Sequence, residues 1–275
     1  MIRVMTADGT VEDGTGVPQA TPDDPALSFA EVAAAYDAGR PSYPPDAVRW
    51  ILGGEPLRVL DLGAGTGKLS EVVAKLGHDV VAVDPSKQML EYAKKLRGVD
   101  TMPGRAEGIP LGPASVDAVL AGQAFHTFDH DKALAEIARV LKPGGVLGLL
   151  WNDYDTVVPW VRRFARLVFE DATKRGGGGE PMTVLLQSDL FAAPERKTFR
   201  HWHELDKPTL RLLAQSISRV ALLPESKRIG VLDEVDGVYE TSARPPEPLR
   251  LPWITTAYRA RSSDIARYAA RTEPT

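Results

Sequence analysis

Residues of three kinds in this chain have types and spacing suited to chemistry. The run Asp61-Leu62-Gly63-Ala64-Gly65-Thr66-Gly67-Lys68 places glycine at alternate positions, which permits a tight turn and lets a ligand lie against backbone N–H groups. The segment Gln123-Ala124-Phe125-His126 offers an imidazole whose ordinary pKa near 6.5 leaves a neutral, proton-accepting form available as a general base. In His201-Trp202-His203 two imidazoles share one face of an extended chain. A metal would need carboxylates to join them, so the exposed face of an edge strand is the simpler reading and no metal is expected. Cysteine is absent from all 275 residues, which excludes thiolate nucleophiles, thiolate metal sites and disulfides.

The glycine run admits three nucleotide-binding readings. A phosphate-binding loop, Gly-x-x-x-x-Gly-Lys-Ser/Thr, needs glycine where Leu62 stands and a hydroxyl where Leu69 stands. The dinucleotide fingerprint, Gly-x-Gly-x-x-Gly, begins at Gly63 and Gly65 but ends on Lys68, a long side chain where the helix must pack closely on the sheet. The third form, Asp-x-Gly-x-Gly-x-Gly, is met at every position.

These residues need elements to position them. Leu57–Leu62 reads as a buried strand, Leu69, Val72, Val73 and Leu76 recur at helical spacing, and Val80–Asp84 is a second strand. A helix over 86–96, a short strand near Val99–Met102, a strand at Val116–Gly122 and a helix at Asp131–Leu141 continue the alternation. Lys142-Pro143-Gly144-Gly145 then turns into a strand at Val146–Trp151. Such alternation builds βαβ units with right-handed crossovers. The expected fold is therefore α/β: a doubly wound, Rossmann-like, mostly parallel seven-stranded sheet with an antiparallel edge strand and a helical lid. Ligands in such sheets bind outside the carboxyl ends of the strands near the switch in strand order. That crevice would gather the glycine run, His126 and the end of the fifth strand, so Trp151 and Asn152 are expected to line a substrate pocket.

Upstream, residues 1–27 lack aromatics and read as a disordered arm. Ser28-Phe29-Ala30-Glu31 matches a capping box that opens a helix ending near Gly39, and a second helix runs from Pro44 or Pro45 to Leu52. Beyond Asp153 the pattern loosens. A helix carries Val161, Phe164, Val168 and Phe169, Gly176–Gly179 reads as a tether, and Lys197–Leu205 as a strand. A helical stretch covers Pro208–Leu223, and a closing strand at Pro252–Ala260 would pair antiparallel with 197–205. Residues 28–275 are expected to form a single domain, with 153–240 as insertions covering the pocket.

The segment Asp61–Gly67 resembles the first motif of the class I S-adenosylmethionine-dependent methyltransferases, and four further features agree in order and spacing. Asp84 ends the second strand; Ala106-Glu107 and Ile109-Pro110 look like the family's adenine-side loop; Leu141-Lys142-Pro143-Gly144-Gly145 looks like its turn before the fifth strand. Tyr36-Asp37-x-x-Arg40-Pro41-x-Tyr43-Pro44 resembles the opening segment of a bacterial small-molecule subgroup similar to trans-aconitate methyltransferase. The resemblance implies S-adenosyl-L-methionine as cofactor, held by Tyr36, Arg40, Asp61, Gly63, Ala64, Gly65, Asp84, Pro85, Ala106, Glu107 and Gln123. It implies a ribose role for Asp84, although Asp is also a favoured helix cap, and it places Tyr43 at the substrate pocket. Where many relatives carry Asp or Asn before the adenine-side Ala, this chain has Arg105.

Charge narrows the partners. The net charge of −4 resides in the first 27 residues, leaving 32 basic and 32 acidic residues in the body. A balanced body lacks the electrostatic footprint of a nucleic-acid binder, and no stretch is long and apolar enough to span a membrane. With no export signal, a cytoplasmic location is expected. The sequence leaves the oligomeric state open. The expected activity is methyl transfer to a small molecule, onto oxygen first and carbon second, with His126 as the base where the acceptor must lose a proton. An NAD-dependent oxidoreductase and a non-catalytic S-adenosylmethionine-binding protein are the alternatives.

Overall fold

The computed structural model describes residues 37, 39–169 and 180–263. The arm at 1–27, the opening of the capping-box helix and the Gly176–Gly179 tether lie outside these residues, while Asp37 and Gly39 at the end of that helix are helical. Seven strands form one sheet: β1 (Arg58–Leu62), β2 (Asp79–Asp84), β3 (Val99–Pro103), β4 (Val116–Gly122), β5 (Leu141–Tyr154), β6 (Glu195–Leu205) and β7 (Leu249–Arg261), in the order β3-β2-β1-β4-β5-β7-β6. The first five pair in parallel. β7 runs antiparallel between β5 and β6, so the two last strands make an antiparallel pair at the sheet's edge.

The apolar runs follow from burial on both faces. Helices α1 (Pro45–Leu52) and α2 (Lys68–Lys75) cover one face, where Val48, Ile51 and Val73 meet Val59, Leu120 and Leu150. On the other face α4 (His130–Val140) packs Ile137 and Val140 against Leu60, Val119 and Leu149. Between β2 and β3 runs α3 (Lys87–Ala93). Strand order reverses between β1 and β4, which start adjacent and leave in opposite directions across the sheet, so their carboxyl ends frame the crevice.

Beyond β5 the chain builds a lid. Helices α5 (Pro159–Val168), α7 (Lys207–Gln215), α8 (Ser218–Ala221) and α9 (Glu225–Ser242) join Trp253, Leu251 and Leu205 in a separate apolar cluster. The short α6 (Glu180–Leu186) instead sends Leu185 into the main core beside Phe191.

Three features differ from the expectation. The turn at 142–145 is absorbed into β5, where the register moves from Val116 opposite Leu141 to Ala118 opposite Val146, so the loop is a bulge in a 14-residue strand. Helix α9 has no counterpart in the sequence reading, because Gly230 and Gly237 interrupt it and its buried positions, Leu232, Val235 and Val238, form a narrow stripe. Helix α6 is likewise unanticipated, seven residues being too few for a clear period.

Candidate active site

At the end of β1 the chain turns back on itself across β2. The N–H groups of Gly63 and Ala64 both donate to the carbonyl of Val83, at 2.8 and 3.1 Å. Gly63 has φ +71°, and a Cβ there would lie 2.5 Å from that of Ala124, so only glycine fits. Gly65, at φ +56°, is different: a Cβ there would meet nothing within 4 Å, leaving bare backbone that faces open space.

Asp84 sits beside this loop, 9% exposed. Its Oδ2 accepts from the Gly65 N–H at 2.9 Å and its Oδ1 from the Ser86 N–H at 2.8 Å. Each oxygen keeps a further acceptor direction for a ligand hydroxyl. The cap of α3 is Ser86, whose hydroxyl accepts from the Met89 N–H, so Asp84 is not spent on capping. Around it opens a cleft of about 360 Å³, lined by Leu62, Gly63, Asp84, Pro85, Gly104, Arg105, Ala106, Glu107, Gln123, Ala124, Thr127 and Phe128. Glu107 also fixes the loop before α4, accepting from the Asp129 N–H at 3.0 Å.

Beneath the glycine run lies Asp61, 1% exposed. Ser70 donates to its Oδ2 at 2.6 Å, while its Oδ1 is buried without a hydrogen-bond partner among the described residues. Burial pushes its pKa up to about 7, against the Ser70 hydrogen bonds that favour the carboxylate, and the nearby Asp84 pushes the same way as burial.

A second cavity, of about 20 Å³, is lined by Arg40, Pro41, Tyr43, Lys68, Gln123, Asn152 and Trp253. Gln123 lines both spaces. Its φ of +58° is rare for a side-chain-bearing residue, and it is held by its N–H on Leu150 O and its Nε2 on Asn152 O, both 2.9 Å. Tyr43 packs over Gly122, where a Cβ would come within 2.5 Å of the phenol oxygen. Arg40 ties this leading segment to the lid, donating from Nε to Ser216 Oγ at 2.9 Å and from Nη2 to Ser216 O at 3.3 Å. Lys68 Nζ lies 3.6 Å from Asp37 Oδ1.

Of the residues singled out in the sequence, Gly63, Asp84, Pro85, Ala106, Glu107 and Gln123 line the larger cleft, and Arg40, Tyr43, Gln123 and Asn152 the smaller cavity. Asp61, Ala64 and Gly65 form the loop and its support, and Tyr36 lies outside the described residues. Two residues are placed elsewhere. Trp151 is on the opposite face of β5 from Asn152, as strand alternation requires, and packs edge-on against Tyr258 in the core. His126, in a short 3-10 turn after β4, is exposed and lines neither space.

The reading of 201–203 as an exposed strand face is corrected: Trp202 is exposed, but His201 and His203 turn inward, and both have a buried ring nitrogen without a partner. Sequence reasoning also left out Thr127 and Phe128, one turn beyond Gln123 and recoverable from that spacing. It left out Lys68, present in the glycine run, and Trp253, which only the pairing of β7 with β5 and β6 brings to the cavity.

A family described as a methyltransferase domain matches residues 60–149. The chain is 39% identical over 241 residues to an uncharacterized methyltransferase of Mycobacterium tuberculosis, covering 86% of this chain and 96% of that protein. It is 32% identical over 194 residues to a demethylmenaquinone methyltransferase of Renibacterium salmoninarum, covering 66% and 82%. A solved structure from Anaeromyxobacter dehalogenans, carrying the name of a type II methyltransferase, superposes with a TM-score of 0.63 at 26% identity, over 81% of this chain and 97% of that one.

Proposed function

The chain belongs to the class I S-adenosylmethionine-dependent methyltransferases, and we propose that its acceptor is a small molecule methylated on a carboxylate oxygen. The cofactor suits the residues present. Bare backbone at Gly65 faces open space, Asp84 keeps two acceptor directions for vicinal hydroxyls, and Asp61 holds an unpartnered buried oxygen below the loop. Ala106 and Phe128 supply apolar walls for a planar base, and Arg105 leaves no side-chain carboxylate or amide at that point to accept from it. Bound there, S-adenosylmethionine supplies a methyl group already activated on a sulfonium.

What remains for the chain is to hold the acceptor in line and keep water out, which can lower the barrier by as much as roughly 7–11 kcal/mol. The observation that carries the reading is at Gln123, which lines both the larger cleft and the small cavity edged by Arg40 and Lys68. Two cations and two amides suit an anionic oxygen acceptor. A carboxylate attacks without losing a proton, so it needs no base, in keeping with the exposed position of His126. The likeness of residues 36–44 to the trans-aconitate methyltransferase-like subgroup supports the same acceptor chemistry.

A second reading, methylation of a quinone-precursor carbon, is favoured by the relative named for demethylmenaquinone. Transfer of labelled methyl from S-adenosylmethionine to a panel of carboxylic acids and quinols separates the two. A methyl ester releases labelled methanol in alkali, and a carbon-bound methyl does not. Alkali-labile label is the expected result; label that survives both alkali and ether cleavage by hydroiodic acid supports the carbon reading instead.

A further inference from the structure

Asn152 ends the pocket side of β5 with its side chain engaged at both ends. Its Nδ2 donates to the carbonyl of Ser42 at 3.3 Å, and its Oδ1 accepts from the hydroxyl of Thr255 at 2.6 Å. Thr255, on β7, is wholly buried, and its Oγ1 also lies 3.2 Å from Nδ1 of His201 on β6. A carbonyl only accepts, so Ser42 fixes which end of the Asn152 amide carries nitrogen. Oδ1 then faces Thr255, whose single proton must go to it, and the hydroxyl oxygen is left to accept from His201 Nδ1–H. The Ser42 carbonyl, which also faces His201 itself, thereby bears on the ring's tautomer through Asn152 and Thr255.

The ring's charge state agrees with this order. Burial, then the neighbouring His203, pulls the His201 pKa down to about 4, against the opposing influence of the Ser42 carbonyl. His203 is itself shifted down by burial and by Lys68. His201 is therefore neutral at physiological pH, with one ring proton to place and a buried Nε2 that has no hydrogen-bond partner among the described residues.

We propose that Thr255 and His201 are positioning residues of the acceptor site: the chain His201–Thr255–Asn152–Ser42 pins the segment carrying Tyr43 to the end of β5, and with it the Gln123 amide held on Asn152. This rests on reading the cavity beside Gln123 as the acceptor site. The hydroxyl and the imidazole act through Asn152 and touch no reacting atom. Residues that merely filled the space would be replaced equally well by Val and Phe, whereas a hydrogen-bond chain requires a hydroxyl at 255 and an N–H at 201.

The test is nuclear magnetic resonance of the full chain labelled with ¹⁵N-histidine and ¹³C-tyrosine, which needs no methyl acceptor. In the wild type His201 is expected as the Nδ1–H tautomer, with no titration between about pH 5.5 and 8. Thr255→Val is expected to shift the ring's tautomer signal and broaden the Tyr43 ring resonances. Thr255→Ser restores both, and His201→Asn, which presents an N–H in place of Nδ1–H, keeps Tyr43 sharp where His201→Phe does not. An Nε2–H tautomer in the wild type overturns the proposal even where the valine variant fails to fold. Wild-type-like Tyr43 signals in Thr255→Val, or a serine variant no better than valine, also overturn it. Titration of the wild type with S-adenosylhomocysteine in the same samples reports on the functional reading separately.

Discussion

At Asp61 a carboxylate is held away from water with one oxygen bonded to Ser70 and the other to nothing, and its pKa stands at about 7 against 3.8 for an ordinary aspartate. The folded chain thus binds this proton more tightly than the unfolded chain. Stability from this group is unaffected below the unfolded value, falls as pH rises through about 4 to 7, and levels off above. At about 1.36 kcal/mol per unit the full effect is on the order of 4 kcal/mol. Asp61→Asn removes it, so the wild type should lose about 2 kcal/mol more than the variant between pH 5 and 7 in denaturant melts; parallel losses would contradict the assignment. With a carboxylate acceptor, His126→Ala should leave turnover within a few-fold of wild type, while a fall of about 10²–10⁴ is the signature of a base and would favour an acceptor that loses a proton. Residues fixed by local motif, such as Gly63 and Asp84, were legible in the sequence because glycine conformation and strand ends are local matters. The orientation of Trp151 was not, since a one-residue step along β5 exchanges pocket for core.

Among the elements, β1, β2 and β4 were legible because each is a short, mostly apolar stretch buried on both faces. Helix α9 was hidden by its two glycines, and the length of β5 by a bulge that resembles a turn. The leading segment approaches β4 closely at Gly122. Gly122→Ala puts a methyl 2.5 Å from the Tyr43 oxygen and 3.2 Å from Leu69, in a core that has no slack. Overpacking of this kind costs typically 1–3 kcal/mol, which should lower the melting midpoint by about 2–4 °C for each kcal/mol in a chain of this size. An unchanged midpoint would mean that Tyr43 does not rest on Gly122 in solution.

On the scale of the whole molecule, the carboxyl ends of the sheet frame the larger cleft, and β7 with the Arg40–Ser216 contact encloses the smaller cavity. The larger cleft draws on the contiguous stretch from Leu62 to Phe128, the part of the chain that also matches the methyltransferase domain. The smaller cavity needs Arg40, Lys68, Asn152 and Trp253 together, four residues joined only by the docking of the leading segment on Ser216 and the insertion of β7. No local pattern encodes that meeting, so the sequence pointed to Tyr43 and Asn152 singly but not to Lys68 and Trp253 beside them. We propose Asp84 and the glycine loop as the cofactor's seat. Calorimetric titration of S-adenosylhomocysteine into wild type and Asp84→Ala, with NAD as control and carried-over cofactor first removed, tests it. One site per chain is expected, weakened about 10- to 150-fold in the variant by the loss of roughly 1.5–3 kcal/mol of charge-assisted hydrogen bonding, with no NAD binding. Equal affinity in the two proteins, or saturable binding of NAD, would contradict it.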